Sequence, residues 1–97
     1  MEKLIEENYK SIVSRGLITP ATTRNQFIDK LFEEVAEFEE ANDLNDWCNI
    51  NEELADVILV CLNFAKHYKI DIKKELTNKI KNNYERAARM DDTNSTI

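Results

Sequence analysis

Glycine and proline are nearly absent from this sequence, which holds one of each in 97 residues. Because these residues form most tight turns, their scarcity argues against an all-β fold and favours long helices with few connections. Cysteine is also scarce. Cys48 and Cys61 form no closely spaced metal pair, and a small secreted fold would usually carry more cysteines. Both are predicted to be reduced thiols, and the protein is expected to be cytoplasmic.

Basic residues are in deficit, with 13 lysines and arginines against 19 aspartates and glutamates and a net charge of −6. A protein that binds duplex DNA or a membrane surface normally presents a basic face, so neither partner is expected. The longest apolar run, at 57–62, is far too short to span a bilayer, and the first residues show no apolar signal region. An acidic balance is compatible with carboxylates that bind a cation.

Hydrophobic periodicity divides residues 1–90 into four predicted helices in one domain, followed by a polar tail at 91–97. The first helix covers about residues 2–15 and stops at Gly16. The second runs to about residue 41, with Thr22 or Thr23 as its N-cap.

A polar turn at 42–48, which holds Trp47, is predicted to precede the third helix. Asn49 or Asn51 can cap that helix, which runs to about residue 68. Asp71 can cap the fourth, which ends near residue 90. The expected architecture is therefore an all-α four-helix bundle.

The third helix is unusually apolar, since Asp56 and Asn63 are its only polar residues between Leu54 and Ala65. A helix that is apolar nearly all round must be covered on most sides. Three other helices of a short chain are not expected to suffice, so we predict a homodimer or a tetramer that completes the core. The residues assigned to the core are Phe27, Leu31, Val35, Phe38, Leu54, Val57, Ile58, Leu62 and Phe64.

Two pairs of carboxylates stand at helical spacing. Glu34 and Glu37 are three residues apart on the second helix, as are Glu53 and Asp56 on the third, so each pair projects from one helix face. If the two helices pack antiparallel, the pairs face each other. Four oxygen donors without histidine or cysteine suit Mg²⁺ or Mn²⁺. The competing interpretation is a solvated glutamate face, because glutamate forms helices well and is mostly exposed.

Asp56 counts against that interpretation. It lies two turns into an apolar helix, where aspartate has poor propensity and no capping role. A buried carboxylate without a partner is costly, so Asp56 should meet a lysine, an arginine or a metal ion. Lys30, one turn before Glu34, can pair with a carboxylate or reach a phosphate.

Cationic and amide side chains share one face of the fourth helix. Lys79, Asn83 and Arg86 lie at i, i+4 and i+7 and can bind phosphate oxygens, although a plain solvated surface would look the same.

Four further residues have candidate roles, and two of them allow two interpretations. Trp47 can stack on a nucleobase or pack against a partner subunit. His67 suits the end of the third helix. Cys61 is expected to be a small core residue. Asn63 needs a hydrogen-bond partner, either as a structural group or in a binding pocket.

Three elements in order resemble the signature of MazG-like all-α nucleoside triphosphate pyrophosphohydrolases. The first is Glu-Glu-x-x-Glu at 33–37, the second is Glu-x-x-Asp at 53–56, and the third is Lys-x-x-x-Asn-x-x-Arg at 79–86. The resemblance covers roughly residues 26–86. Two positions depart from it. Ala36 stands where many relatives have glycine, and Arg86 is followed by two alanines where some relatives have Tyr-Pro.

The resemblance implies a dimeric or tetrameric helical hydrolase that uses Mg²⁺, or Mn²⁺, to cleave a (d)NTP into the monophosphate and pyrophosphate, with a house-cleaning role in the nucleotide pool. It implies the metal ligands Glu34, Glu37, Glu53 and Asp56. The groups we expect to activate water are Glu37, whose wheel position is the less buried of its pair, and Glu33, which matches the first acidic position of the signature. Phosphate binding would fall to Lys30, Lys79, Asn83 and Arg86, with Trp47 as a base contact.

Two alternatives compete with this interpretation. Phosphoribosyl-ATP pyrophosphatase shares the fold and the acidic motifs of the superfamily but acts on a different substrate. A non-catalytic helical assembly module, whose glutamates are solvated, belongs to a different functional class. A degenerate relative that binds nucleotides without turnover is less attractive, because every acidic motif residue is retained.

Overall fold

The fold was analysed from a computed structural model that describes residues 2–89. Its helices are α1 (Glu2–Ser14), α2 (Arg24–Asp43), α3 (Trp47–His67) and α4 (Ile72–Ala88). No strand occurs in residues 2–89, so the prediction of an all-α chain with four helices is confirmed. The predicted polar tail at 91–97 lies outside the described residues. None of the described helices is both long and apolar enough to cross a membrane.

Side-chain caps start α2 and α4 where the sequence predicted. Thr23 forms a capping box with Gln26: its hydroxyl accepts from the Gln26 backbone N–H at 3.2 Å, and the Gln26 side chain accepts from the Thr23 N–H at 2.8 Å. The Asp71 carboxylate accepts from the Lys74 N–H at 3.1 Å. Each cap satisfies an N–H that the first turn of a helix leaves without an intrahelical acceptor.

The predicted start of α3 was wrong. Its N-cap is Asp46, and neither Asn49 nor Asn51 takes that role. The Asp46 carboxylate accepts from the Asn49 backbone N–H at 3.3 Å and from the Asn49 side-chain amide at 3.0 Å. Trp47 is therefore the first residue of a helix, not part of a polar turn.

Each of the first three helices ends with a residue at positive φ. Gly16 (φ 74°), Asn45 (φ 53°) and Lys69 (φ 56°) occupy equivalent positions. In each case the N–H of the next residue returns to a carbonyl five residues earlier, for example from Ile70 to Ala65 at 2.8 Å. This is the Schellman arrangement, which satisfies carbonyls at a helix end. Asparagine and lysine thus replace two of the glycines that such ends usually contain.

Helices α2 and α3 form an antiparallel hairpin that holds most of the core. The three-residue connection at 44–46 turns the chain back, so that the Phe27 ring near the start of α2 meets the Phe64 ring near the end of α3. Their centroids are 5.5 Å apart in an edge-to-face arrangement, which aromatic pairs favour. Ala41 and Ile50 are buried near the other end of the hairpin.

Helix α1 attaches to α3 largely through polar contacts. The Asn8 side-chain nitrogen donates to Asn63 Oδ1 at 3.1 Å, and the Tyr9 hydroxyl hydrogen-bonds His67 Nδ1 at 2.8 Å. Asn63 is buried, so it has the hydrogen-bond partner that its place in an apolar helix requires. His67 also lies 5.1 Å from the Phe27 ring, measured between centroids. His67 therefore packs in an aromatic cluster with Phe27 and Phe64 at the end of α3, instead of pointing into solvent.

Helix α4 stands apart from the rest of the chain. Every residue from 73 to 89 is exposed, and α4 packs against none of the other described helices to any extent. The four helices therefore do not close into a bundle within one chain.

The core prediction was also wrong for several residues, because Val35, Leu54 and Ile58 are 37–48% exposed. The thiol-bearing residue Cys61, expected in the core, is exposed as well. Of the residues assigned to the core, only Phe27 is buried in the single chain, at 6% exposure.

The Thr23 cap gives a direct test of this architecture. Thr23→Ala removes the acceptor for the Gln26 N–H and should lower the free energy of unfolding by about 1 kcal/mol. Thr23→Ser keeps the hydroxyl and should cost less. Urea denaturation followed by circular dichroism measures both variants. Equal losses would show that the hydroxyl does not stabilise α2.

Candidate metal centre

Three carboxylates meet where α2 packs against α3. One oxygen from each of Glu34, Glu37 and Glu53 lies within 4.8 Å of the other two. Glu34 is buried at 7% exposure, Glu53 is half-buried and Glu37 is exposed. The group therefore runs from the helix interface out to solvent. The structure thus brings together three of the four metal ligands implied by the sequence.

The helix geometry explains this convergence. Glu34 and Glu37 are separated by one helical turn, so they lie above one another on the same flank of α2. Glu53 lies one turn after Ile50, a buried residue of α3, which places it at the same interface. Because the hairpin is antiparallel, the middle of α2 faces the first half of α3.

Two oxygens of this group are buried without any hydrogen bond. They are Glu34 Oε2 and Glu53 Oε2. A buried polar atom is almost always paired, and a buried carboxylate oxygen without a partner is expensive. A cation between the two helices would satisfy both atoms. The donor set consists only of oxygens, which is what Mg²⁺ or Mn²⁺ requires.

Lys30 supplies part of the counter-charge. Its Nζ lies 3.1 Å from Glu34 Oε1 and 3.6 Å from Glu33 Oε1. The hydrogen bond that Lys30 donates to Glu34, followed by the negative charges of Glu34, Glu33 and Glu37, raises the pKa of Lys30 against the opposing effect of burial. Lys30 therefore stays cationic at neutral pH. Its side chain is 52% exposed, so the ion pair contributes little to stability by itself.

Repulsion dominates at the outer edge of the group. The negative charge of Glu34 raises the pKa of Glu37, and loss of solvent and the charge of Glu53 act in the same direction. Like charges this close make full ionisation unfavourable. A divalent cation would reverse this effect by attracting the same carboxylates.

Asp56 does not join the three glutamates. It is exposed, so the argument that it is a buried carboxylate in need of a partner was wrong for the single chain. It lies one turn beyond Glu53 on α3, on the same flank of that helix. Glu33, the other acidic residue of the first element, is exposed and pairs with Lys30.

The predicted phosphate-binding residues of α4 are not near this group. Lys79, Asn83 and Arg86 are exposed on a helix that does not pack against α2. Trp47, the candidate base contact, is 65% exposed in the first turn of α3. Within one chain, only Lys30 among the predicted phosphate-binding residues meets the carboxylates.

Sequence reasoning missed a cavity of about 430 Å³ beside Lys30, enclosed by α1, the segment after it, α2 and α3. It also missed Asn8, the partner of Asn63, because the two residues are 55 positions apart. The one signal available was Asn63 itself, a polar residue in an apolar helix.

The repulsion at Glu37 predicts how the metal-free protein responds to Glu37→Gln. Ionisation of Glu37 is less favourable in the folded chain than in the unfolded chain, because the folded state raises its pKa. The resulting destabilisation is complete above the raised pKa and disappears below the ordinary glutamate pKa of about 4. The variant should therefore have the higher thermal midpoint at pH 7, and this advantage should vanish in acid.

Thermal unfolding in EDTA across this pH range measures the effect. The control is Glu39→Gln, which neutralises an exposed glutamate of α2 outside the group. A Glu37→Gln midpoint no higher than that of the wild type at pH 7 would contradict the repulsion.

Comparison with known proteins agrees with the geometry. Residues 22–88, which include α2, α3, α4 and all three acidic and basic elements, match the MazG nucleotide pyrophosphohydrolase domain. No curated protein and no solved structure is similar enough to count as a match. Because the matched region covers more than half of the sequence, the chain belongs to the MazG nucleotide pyrophosphohydrolase domain family.

Proposed function

We propose that the protein hydrolyses nucleoside triphosphates between the α- and β-phosphates, giving the nucleoside monophosphate and pyrophosphate, in a house-cleaning role for the nucleotide pool. Family membership supports the reaction class. The observation that carries the proposal for this chain is the pair of buried carboxylate oxygens, on Glu34 and Glu53, that have no partner. A structural helix interface would not retain two such oxygens, whereas a metal site needs them.

The proposed ligands of Mg²⁺, or of Mn²⁺, are Glu34, Glu37, Glu53 and Asp56. The first three already converge, and Asp56 extends from the flank of α3 that carries Glu53. A triphosphate is strongly anionic and would be repelled by these acids alone. When bound, the metal neutralises charge on the phosphate oxygens as the bond to the leaving group breaks.

The remaining chemistry belongs to side chains of the chain itself. Glu37 is the candidate base because it is the exposed member of the group and reaches solvent, so one of its oxygens can accept a proton from an attacking water. Glu33, the other acid considered for this role, is the less favoured of the two because it pairs with Lys30 at 3.6 Å. Lys30, held at the edge of the group, is placed to contact a phosphate oxygen.

A second copy of the chain is part of the proposal. Lys79, Asn83 and Arg86 can bind phosphate only if α4 meets a carboxylate group, and α4 does not approach that of its own chain. The apolar face of α4 is also uncovered: Leu76, Ile80 and Tyr84 are 54–75% exposed.

The dimensions of the chain support assembly. Its radius of gyration is 16.3 Å, against about 13 Å for a compact domain of this length. Its accessible surface is 7935 Å², more than a third above the ~5,800 Å² expected for a folded monomer of this mass. The excess is of the size that an obligate dimer interface buries. Exposed apolar residues of α2 and α3 offer one such surface: Ile28, Phe32, Val35, Leu54 and Ile58.

Pyrophosphate release from normal and modified (d)NTPs, with and without Mg²⁺, tests the activity. The wild type should release pyrophosphate only with the metal, and Asp56→Ala should lose the activity. Glu37→Gln should slow turnover by about 10²–10⁴-fold while nucleotide–metal binding is partly retained, as expected for a base.

The exposed control Glu39→Gln should keep wild-type rates. Equal losses of binding and rate in Glu37→Gln would assign Glu37 as a ligand only. No release from any nucleotide by folded wild type would contradict the proposal, and phosphoribosyl-ATP would then be the next substrate to test.

Light scattering after size-exclusion chromatography tests the assembly. The wild type should have the mass of two or four chains, and Phe32→Asp should reduce it to one, because a charge would enter the apolar surface. Leu4→Asp is the matched control, since Leu4 on α1 is as exposed as Phe32, at 66% against 68%. A monomeric wild type would contradict the proposal, as would an unchanged mass for Phe32→Asp.

A further inference from the structure

The cavity beside Lys30 has the dimensions of a small-molecule site. Its volume is about 430 Å³, and α1, the segment after α1, α2 and α3 each provide part of the wall. Pockets that bury most of a small ligand usually measure about 300–1,000 Å³. The cavity borders the carboxylate group, because Lys30 lines it and lies 3.1 Å from Glu34.

The lining combines apolar and charged side chains. Ile12, Ile18, Phe27 and Val60 provide an apolar wall made by α1, the segment after it, α2 and α3. The charged side chains are those of Asp29, Lys30 and Glu33, and Lys30 also contacts the carboxylate group. A nucleotide has the same profile, since a flat and largely apolar base is joined through a sugar to an anionic phosphate.

Among the polar residues of the lining, only Asn63 is buried. Asn63 lines the cavity and is 5% exposed. Its Oδ1 accepts from Asn8, while its Nδ2 makes no hydrogen bond within residues 2–89. This Nδ2 is not among the buried atoms that lack a partner, so it is open to the cavity and free to donate to a hydrogen-bond acceptor on a ligand. An aromatic ring, Phe27, lines the same space.

We infer that this cavity binds the nucleoside part of the substrate, and that Asn63 determines which base is preferred. The base lies against Phe27 with a carbonyl oxygen or ring nitrogen accepting from Asn63 Nδ2. The sugar lies beside Asp29, whose carboxylate can accept from a sugar hydroxyl. The first phosphate then reaches Lys30 and the carboxylate group. The inference rests on the proposed function, since it places the substrate of that same site.

Filling the cavity tests where the nucleoside binds. Ile12→Trp places an indole in the space, and Val13→Trp is the matched control, because Val13 is the next residue of α1 and does not line the cavity. The probes are dCMP, dTMP, dAMP and dGMP, titrated by calorimetry. The best-bound monophosphate should lose at least about tenfold in affinity with Ile12→Trp, a change of 1.4 kcal/mol, and little with Val13→Trp.

A second variant protects the test against misfolding. Leu17 lines the same cavity but is 60% exposed, so Leu17→Trp should be tolerated by the fold and should also weaken binding. Wild-type affinity in folded Ile12→Trp and Leu17→Trp would overturn the inference, because the nucleoside would then lie elsewhere.

Base preference is tested by Asn63→Asp. The substitution replaces an amide donor with an acceptor of the same shape, so the rank order of the four monophosphates should change in favour of bases that present a donor. The control is Tyr9→Phe, which removes the hydrogen bond to His67 without touching the Asn63 amide and should leave the order unchanged. An unchanged order in folded Asn63→Asp would show that Asn63 does not read the base.

Metal binding separates this inference from the proposed function. Mn²⁺ titration followed by electron paramagnetic resonance should give the same affinity in wild type and Ile12→Trp, since the carboxylates are untouched. Failure of the wild type to bind Mn²⁺ would overturn the metal site, while monophosphate binding would still report on the cavity. Normal Mn²⁺ binding with no difference between the two tryptophan variants would overturn the cavity assignment alone.

Discussion

The α2–α3 interface holds carboxylates that the chain alone does not satisfy, and most other features follow from this constraint. Glu34 is buried with one oxygen paired to Lys30 and the other unpaired, and Glu53 adds a second unpaired oxygen. Lys30 offsets one charge, so repulsion at Glu37 remains. An interface built this way sacrifices stability in the metal-free state. Any cation that binds the folded chain and not the unfolded one would restore it, so metal affinity and folding are thermodynamically linked.

Much of this site could be predicted from the sequence, because helical spacing fixes which side chains share a flank. The pairing of Glu34 with Glu37 and the Thr23 cap required only local geometry. The start of α3 could not be predicted in this way, because Asn49 and Asn51 stand closer to the apolar stretch of α3 than Asp46 does. The structure shows that Asp46 is the N-cap, since its carboxylate accepts from both the backbone and the side-chain N–H of Asn49. The exposure of Asp56 could not be predicted either. A helical wheel gives the direction of a side chain but does not show whether a neighbouring element covers that side chain.

The apolar pattern of the sequence also identified which helix faces are to be buried, but not which residues cover those faces. Val35, Leu54 and Ile58 belong to a clear helical stripe, yet they remain 37–48% exposed in the single chain. Helix α4 is the stronger case, because Leu76 and Ile80 are more than half exposed and only line an open groove beside α1 and α3. Periodicity reports that a face is to be buried, and it carries no information on whether the covering residues come from the same copy. The incomplete core and the isolated α4 cations therefore have one common explanation in a second copy.

Helix α1 lies outside the matched family region, and its attachment determines how the cavity works. It is tied to α3 by two polar pairs, Asn8 with Asn63 and Tyr9 with His67. Polar contacts of this kind contribute modestly to stability, so α1 is the wall most easily displaced. Asn63 is both the anchor of α1 and the group that faces the cavity. A base that accepts from Asn63 Nδ2 would fix the amide in the orientation that also holds Asn8, so binding a fitting base would tighten the wall that encloses it.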